Sequence, residues 1–388
     1  MTRQHLLIVR PTLGTGGADR VTLTLLRTLP REDFDVRLAL MRSEGPWREH
    51  VPDDVDVTDL RAGGLSTSVG PVHRLLLRTR PDVVLVTCGG MSIPVTLAWL
   101  ALTARDRPRL VLSERNALFH GGKTMKRLAL TAWKRALFPL ADCVTAVSEG
   151  VAREVERDLR VPADRVVVTN NPVVDDDVRA QANAPLSHPF FEGDRPVVLA
   201  VGRLVREKGF DVLLDAFASV RARTTSRRPR LVILGEGPLR AQLEARARTL
   251  GIHDDVSMPG FDANPFKYMS RAAVFVLSSR NEGLPGSLIQ AMACGAPAIS
   301  TDCPFGPVEV IDRPGTNGLL VPVDDVTALA DSMERVLTDR VLASTLAVNG
   351  RATVERYTVE RSLARYVDAI QSRAHVPESS WGSARAIA

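Results

Sequence analysis

The stretch SSRNEGLPGSLIQAMACGAPAISTDCPFGPVEV, Ser278 to Val310, sets one carboxylate and a Pro-Gly pair between two apolar runs. AVFVLSS, which overlaps its start, has the length and content of a buried strand. RNEGLPG then reads as a loop, and SLIQAMACG opens a helix whose small residues let it lie close on a sheet. PAISTD reads as the next strand, which makes the stretch one βαβ unit of a parallel sheet.

The same rhythm runs outward in both directions. PVVLAVG and RLVILG are further strand candidates upstream, with FDVLLDAFASVRART and GPLRAQLEARARTL as amphipathic helices between them. In the first half LLIVR, DVRLALM, DVVLVT, RLVLSE, CVTAVS and RVVVTN are the strands, and helical spacing fills the gaps, as in GADRVTLTLLRTL. Periodicity lapses in NAPLSHPFFEGDRP, so a domain boundary is placed at Asn183. The expected architecture is α/β, with two tandem Rossmann-like parallel-sheet domains facing across a cleft. They span residues 1–182 and 183–374, the last helix packing back on the first domain, and residues 375–388 form a tail.

Length and composition agree with this. A chain of 388 residues is too long for one ordinary core and suits two domains. With 45% hydrophobic and 24% charged residues it is neither a disordered chain nor a fibre. The net charge of +5 favours anionic partners. Aromatics make up only 5% and no basic recognition module is present, which argues against nucleic acid. Cys88, Cys143, Cys294 and Cys303 have no metal-binding spacing, so a reducing cytoplasm is expected. The N-terminus reads as a first strand rather than a signal peptide, and MSIPVTLAWLALTA is too short to span a bilayer.

Ligands of doubly wound sheets bind beyond the carboxyl ends of the strands, and the motifs fall there. LGTGGADR follows the first strand and opens a helix, where Gly16 and Gly17 would let the backbone approach an anion. Counted from Gly14, the third position of a dinucleotide fingerprint is Asp19, so that fingerprint fails. VGRLVREKGFD offers Arg203 as a planar fork and Lys208 as a point charge, a pair suited to a diphosphate. Opposite them the N–H groups of Gly286, Ser287 and Leu288 would form a second anion site. Glu282, at the loop's edge, could accept sugar hydroxyls or stabilise positive charge developing on a sugar ring.

Taken together, GGADRV, SERN, AVSEGV, NNPV, GRLVREKGFDVLLDAF, LGEGPLR, the long stretch from Asn264 to Ile311 and NGLLVP resemble the retaining GT-B nucleotide-sugar glycosyltransferases of family four. The resemblance runs from about residue 6 to residue 322 in family order. It implies that Arg203 and Lys208 bind the donor diphosphate with the backbone of Gly286, Ser287 and Leu288, and that Glu282 contacts the donor sugar. The family carries a second Glu eight positions on, which holds the ribose; here that place is Gln290. A Gln carbonyl still accepts a hydroxyl proton, without the strength of a charged acceptor.

The implied reaction moves a hexose or N-acetylhexosamine from a nucleotide diphosphate sugar to a glycan, lipid-linked or small-molecule acceptor, with retention and without metal or cofactor. Cell-surface polysaccharide assembly is its setting. An alternative metal site is the DxD spacing of Asp175 and Asp177, which reads as a solvated loop late in the first domain. The acceptor side is expected from Glu114, Arg115 and His120 after a first-domain strand. The helical stretch that follows, with Lys123, Lys126, Arg127, Lys134 and Arg135 against Leu, Ala and Trp133, suits an anionic membrane surface as well as it suits a helix buried on one face. The protein is thus expected in the cytoplasm, with the inner face of the membrane as its alternative place of work. Two competing functions are a sugar-nucleotide-binding protein without turnover and a dinucleotide-dependent oxidoreductase.

Overall fold

The computed structural model describes residues 3–14, 16–117, 125–224 and 227–371. The tail 375–388 lies outside them. The first sheet holds β1 (Gln4–Arg10), β2 (Phe34–Leu40), β3 (Asp56–Asp59), β4 (Val83–Val86), β5 (Arg109–Glu114), β6 (Cys143–Ala146) and β7 (Val166–Val168). Their order is β3-β2-β1-β4-β5-β6-β7, all parallel. The connecting helices are α1 (Gly17–Thr28), α2 (Val69–Thr79), α3 (Gly89–Leu100), α4 (Met125–Leu137) and α5 (Glu149–Leu159).

After α6 (Asp176–Ala182) the second sheet is built from β8 (Val197–Val201), β9 (Arg230–Leu234), β10 (Val256–Gly260), β11 (Val274–Leu277), β12 (Ala298–Thr301) and β13 (Leu319–Val321). It is also parallel, in the order β10-β9-β8-β11-β12-β13. Its helices are α7 (Phe210–Arg223), α8 (Arg240–Thr249), α9 (Phe266–Met269), α10 (Gly286–Ala293) and α11 (Gly306–Val310). Then come α12 (Val326–Thr338), α13 (Arg340–Val354) and α14 (Val359–Gln371).

Helices cover both faces of the inner strands, so every residue of β4, β6, β11 and β12 is buried, the apolar runs VVLV and VFVL as well as CVTA and AIST with their hydroxyls. Three strands escaped the sequence reading. DVTD of β3, VSMPG of β10 and LLV of β13 stand at sheet edges, and the first two are mostly half-exposed or exposed, so they carry no long apolar run.

The boundary seen in the sequence and the boundary in packing differ. Helix α6, assigned above to the first domain, packs on α9 and α10 of the second. Asn264 Nδ2 donates to the Gln181 carbonyl at 3.0 Å and Ser270 Oγ to that of Ala182 at 2.7 Å. The packing seam therefore precedes Asp176, where the chain crosses between sheets. The last helix α14 returns to lie on α1, β6 and β7, with Tyr366 fully buried and the Val359 N–H bonded to the Val174 carbonyl at 2.9 Å.

Each sheet reverses its winding once, between β1 and β4 and between β8 and β11. Crevices open at such points beyond the carboxyl ends of the strands. The loops leaving β1, β4, β8 and β11 carry the glycine turn, Cys88, Arg203 with Lys208, and Glu282. Topology brings to one place residues that stand as far apart in sequence as Gly14 and Glu282.

Candidate active site

Between the domains lies a cleft of about 630 Å³, within the range of small-molecule sites. Gly16, Gly17, Arg203, Lys208, Glu282, Gly286, Ser287 and Gln290 all line it, together with Arg115. Leu288 does not. At its centre Lys208 Nζ meets Glu282 Oε1 at 2.5 Å, and Ser279 Oγ donates to the same oxygen at 2.7 Å. Glu282 Oε2 accepts no hydrogen bond among the described residues. Arg203 is exposed at the end of β8.

Two strand-end loops must hold register for that pair to form. Arg280 ties them: its guanidinium donates to both oxygens of Asp211 at 2.9 and 2.8 Å, to Asp324 at 2.6 Å and to the Arg206 carbonyl at 2.8 Å. Its own N–H bonds the Glu207 carbonyl at 2.7 Å, and Ser278 Oγ bonds that of Lys208 at 2.9 Å. Burial alone would raise the Asp211 carboxyl, but the Arg280 fork holds it below its usual range.

Helix α10 starts after Pro285 with no side-chain cap. The Leu288 N–H closes a tight turn onto the Pro285 carbonyl at 3.1 Å, which corrects the expectation that it faces an anion. Gly286 and Ser287 keep the first two N–H groups of the helix, which have no intrahelical acceptor. Gln290 Nε2 donates to the Val173 carbonyl at 3.3 Å, so this side chain both faces the cleft and touches the crossing between domains. A carboxylate has no proton to donate there.

The first domain supplies the other wall. The N-terminus of α1 is already occupied by a carboxylate: Asp19 Oδ2 accepts the Gly16 N–H at 3.0 Å, and buried Arg10 pairs with Oδ1. Arg10 also donates to Thr22 Oγ1 at 3.2 Å and to the Thr87 carbonyl at 3.2 Å. Asp19, the residue that spoils the dinucleotide fingerprint, thus takes up the Gly16 N–H at the start of α1. Gly17 remains open to the cleft.

Of the acceptor-side residues, Glu114 does not line the cleft. It is buried in an ion pair with Lys134, against Gly89 at the start of α3. Arg115 lines the cleft, but its guanidinium holds Asn171 Oδ1 and the Tyr366 hydroxyl. Asn171 Nδ2 in turn donates to the Leu284 carbonyl at 3.2 Å, beside Glu282. Gly283 is a glycine because a Cβ there would stand 2.2 Å from the Arg115 carbonyl oxygen. His120 and Lys123 lie outside the described residues. Asp175 Oδ1 caps α6 through the Val178 N–H at 2.8 Å, a structural use for one half of the DxD spacing.

Several cleft residues were not singled out from sequence. Trp47 reaches in from the loop after β2 and meets Phe261 of the second domain edge to face, at 6.3 Å between ring centroids. The Arg20 guanidinium lies 4.6 Å from the Phe266 ring centroid and 5.9 Å from that of Trp47. Arg280 and Asn171 stood inside quoted motifs, yet nothing local marks them as struts.

Comparison with known proteins matches both halves. Residues 15–177 match Glycosyltransferase Family 4 and residues 195–339 match Glycosyl transferases group 1, together most of the chain. The lipopolysaccharide core biosynthesis glycosyltransferase LpsE of Rhizobium meliloti is 26% identical over 92% of this chain and 96% of its own length. The N-acetylgalactosamine-N,N'-diacetylbacillosaminyl-diphospho-undecaprenol 4-alpha-N-acetylgalactosaminyltransferase of Campylobacter jejuni is 28% identical, over 87% and 91%. HepE of Anabaena, whose crystal structure is in complex with UDP-glucose, superposes with a TM-score of 0.75 at 18% identity, covering 95% of this chain and all of HepE. With two parallel-sheet domains, a cleft at both switch points and these matches, the chain belongs to the family 4, group 1 glycosyltransferases of GT-B fold.

Proposed function

We propose that this glycosyltransferase moves a hexose or N-acetylhexosamine from a nucleoside diphosphate sugar to a glycan, lipid-linked or small-molecule acceptor, with retention, in cell-surface polysaccharide assembly. The reading rests on the Lys208–Glu282 pair, set beside Arg203 and the α10 N-terminus. Arg203, Lys208 and the Gly286 and Ser287 N–H groups take the charge that grows on the diphosphate as its bond to the anomeric carbon breaks. Glu282 Oε2 is left to hold a sugar hydroxyl while the ring becomes electron-poor. The acceptor oxygen forms the new bond on the face the diphosphate leaves, and its proton passes to the departing phosphate oxygen. Protein cations carry the charge throughout, so no divalent ion is called for.

The UDP-glucose complex of HepE supports a nucleoside diphosphate donor, and the lipopolysaccharide and undecaprenol relatives support a glycan or lipid-linked acceptor. Four unpaired cysteines suit the cytoplasm.

The test is thermal unfolding against UDP, GDP, ADP, dTDP, their common sugars and the nicotinamide dinucleotides, followed by a transfer assay with chelator present and product anomer assignment by NMR. Stabilisation by one nucleotide family, abolished in Arg203→Ala, with a product anomer that matches the donor's, is expected. Binding without turnover on any acceptor would instead favour a sugar-nucleotide-binding protein, whose departure from activity would start at Gln290. A shift with a nicotinamide dinucleotide alone would overturn the reading.

A further inference from the structure

We infer that the outer face of α2, α3 and α4 docks on an anionic lipid bilayer, presenting the cleft to a membrane-held acceptor. The three helices lie side by side on one face of the first sheet. A surface helix ordinarily turns polar residues outward. Among the residues of α4 whose exposure is described, the reverse holds. Met125, Leu128, Leu130 and Trp133 are exposed, at 81, 45, 36 and 51%, with exposed alanines between them. Among the residues of α4 whose exposure is described, Arg135 is the only exposed charge, since Lys134 turns inward to Glu114. Leu77 of α2 and Leu65 in the turn before it are exposed as well, at 49 and 42%.

Charge selects the occupant. Between Leu60 and Ala141 the chain has thirteen Lys and Arg but only Asp82, Asp106 and Glu114 as acids. That is ten net positive charges, against five for the whole chain, so the remainder of the molecule is net acidic. Arg74, Arg78, Arg80 and Arg135 are exposed and form no ion pair among the described residues. Two copies meeting through this face would bring like charges together, whereas an anionic leaflet meets the cations while the apolar side chains enter its interface. Helix α3 starts beside Cys88, and the segment leading to α4 starts at Arg115 and Asn116; all three residues line the cleft. The docking face and the active site therefore share their supporting elements.

This inference rests on the proposed transfer only for its purpose, so its test omits donor and acceptor. The full chain is sedimented with vesicles of about 30% phosphatidylglycerol in phosphatidylcholine, and with phosphatidylcholine alone, at low and high salt. Expected are binding to the anionic vesicles at least about tenfold tighter than to neutral ones, several-fold weakening by salt, and a blue shift of tryptophan emission that Trp133→Phe removes. Trp133→Glu, Leu128→Glu and the pair Arg74→Glu, Arg78→Glu should each lose about tenfold on anionic vesicles while their unfolding midpoints stay near that of the parent. Equal binding to both vesicles, no binding to either, or a concentration-dependent dimer that Trp133→Glu dissociates would overturn it. A nucleotide-binding transferase indifferent to vesicles would sink this inference alone; vesicle binding without nucleotide binding would sink only the transfer.

Discussion

Lys208 and Glu282 come from loops 74 residues apart, and each is the other's partner in the cleft. Replacing Lys208 by Ala removes a cation from the proposed diphosphate position and leaves Glu282 without its ion-pair partner, holding only the Ser279 hydroxyl. Turnover is expected to drop by about 10²-fold or more, measured with saturating donor, while circular dichroism stays unchanged. Gln290 makes a different prediction. Gln290→Glu, which restores the family's residue, sets a carboxylate oxygen against the Val173 carbonyl and should cost about 1–3 kcal/mol in urea unfolding. An unchanged midpoint would mean that the amide's bond to Val173 carries no weight. The thiols offer a third check. Burial pushes Cys143 up to about 11 and Cys294 and Cys303 up to about 12, Glu282 adding to the rise at Cys303. Near pH 8 all three should resist a thiol reagent, so rapid labelling of native protein is confined to half-buried Cys88, and a cleft ligand should slow it.

Among the elements, the β11–α10 loop depends on Arg280 more than on its own turn chemistry. Arg280→Ala frees it from the β8–α7 connection and should lower kcat/KM by about ten- to a hundredfold through misplacement of Glu282, with a smaller loss of thermal midpoint. The clamp has a pH signature. Because Asp211 is held below its usual range in the folded chain, its contribution is present above the unfolded value, roughly 3.9, and disappears as the pH falls through the folded one. The stability gap between parent and Asp211→Asn should therefore be open at neutral pH and close in acid. A gap that persists in acid would show that Asp211 acts by shape and not by charge. The strand–loop–helix order around this clamp was legible from residue types, because apolar runs and small-residue helices are local signals. The clamp itself was not: Arg280 looks like any loop arginine until Asp211 and Asp324 are folded against it.

At the scale of the whole molecule, a second contact joins the domains away from the cleft. Glu309 of α11 accepts the Glu149 and Gly150 N–H groups, at 3.0 and 2.7 Å, and so caps α5 of the other domain. Phe305 packs where a Cβ on Gly150 would come within 2.2 Å of its ring. Gly150→Ala should force the domains apart, at about 1–3 kcal/mol, and appear as a larger radius of gyration in solution scattering. Burial raises the Glu309 carboxyl above its usual value. A raised acid favours the fold when protonated, and that contribution fades as pH rises through the folded value. Parent protein should gain stability relative to Glu309→Gln as the pH is lowered from neutral toward the carboxylate range; a gain in the opposite direction would contradict the burial.

Residue order alone determined the fold class, the central strands and the positions of Arg203, Lys208 and Glu282 at strand ends, because alternation of apolar runs with helical spacing is a local property of the chain. Tertiary structure decided the rest. It spent Asp19 on the α1 N-terminus and the Leu288 N–H on a turn, and it withdrew Glu114 into a pair with Lys134. It also moved α6 to the second domain and exposed the apolar face of α4. Each of these depends on which groups meet across long separations, and a hydrogen-bonding group is available to a ligand only when packing has given it no other partner.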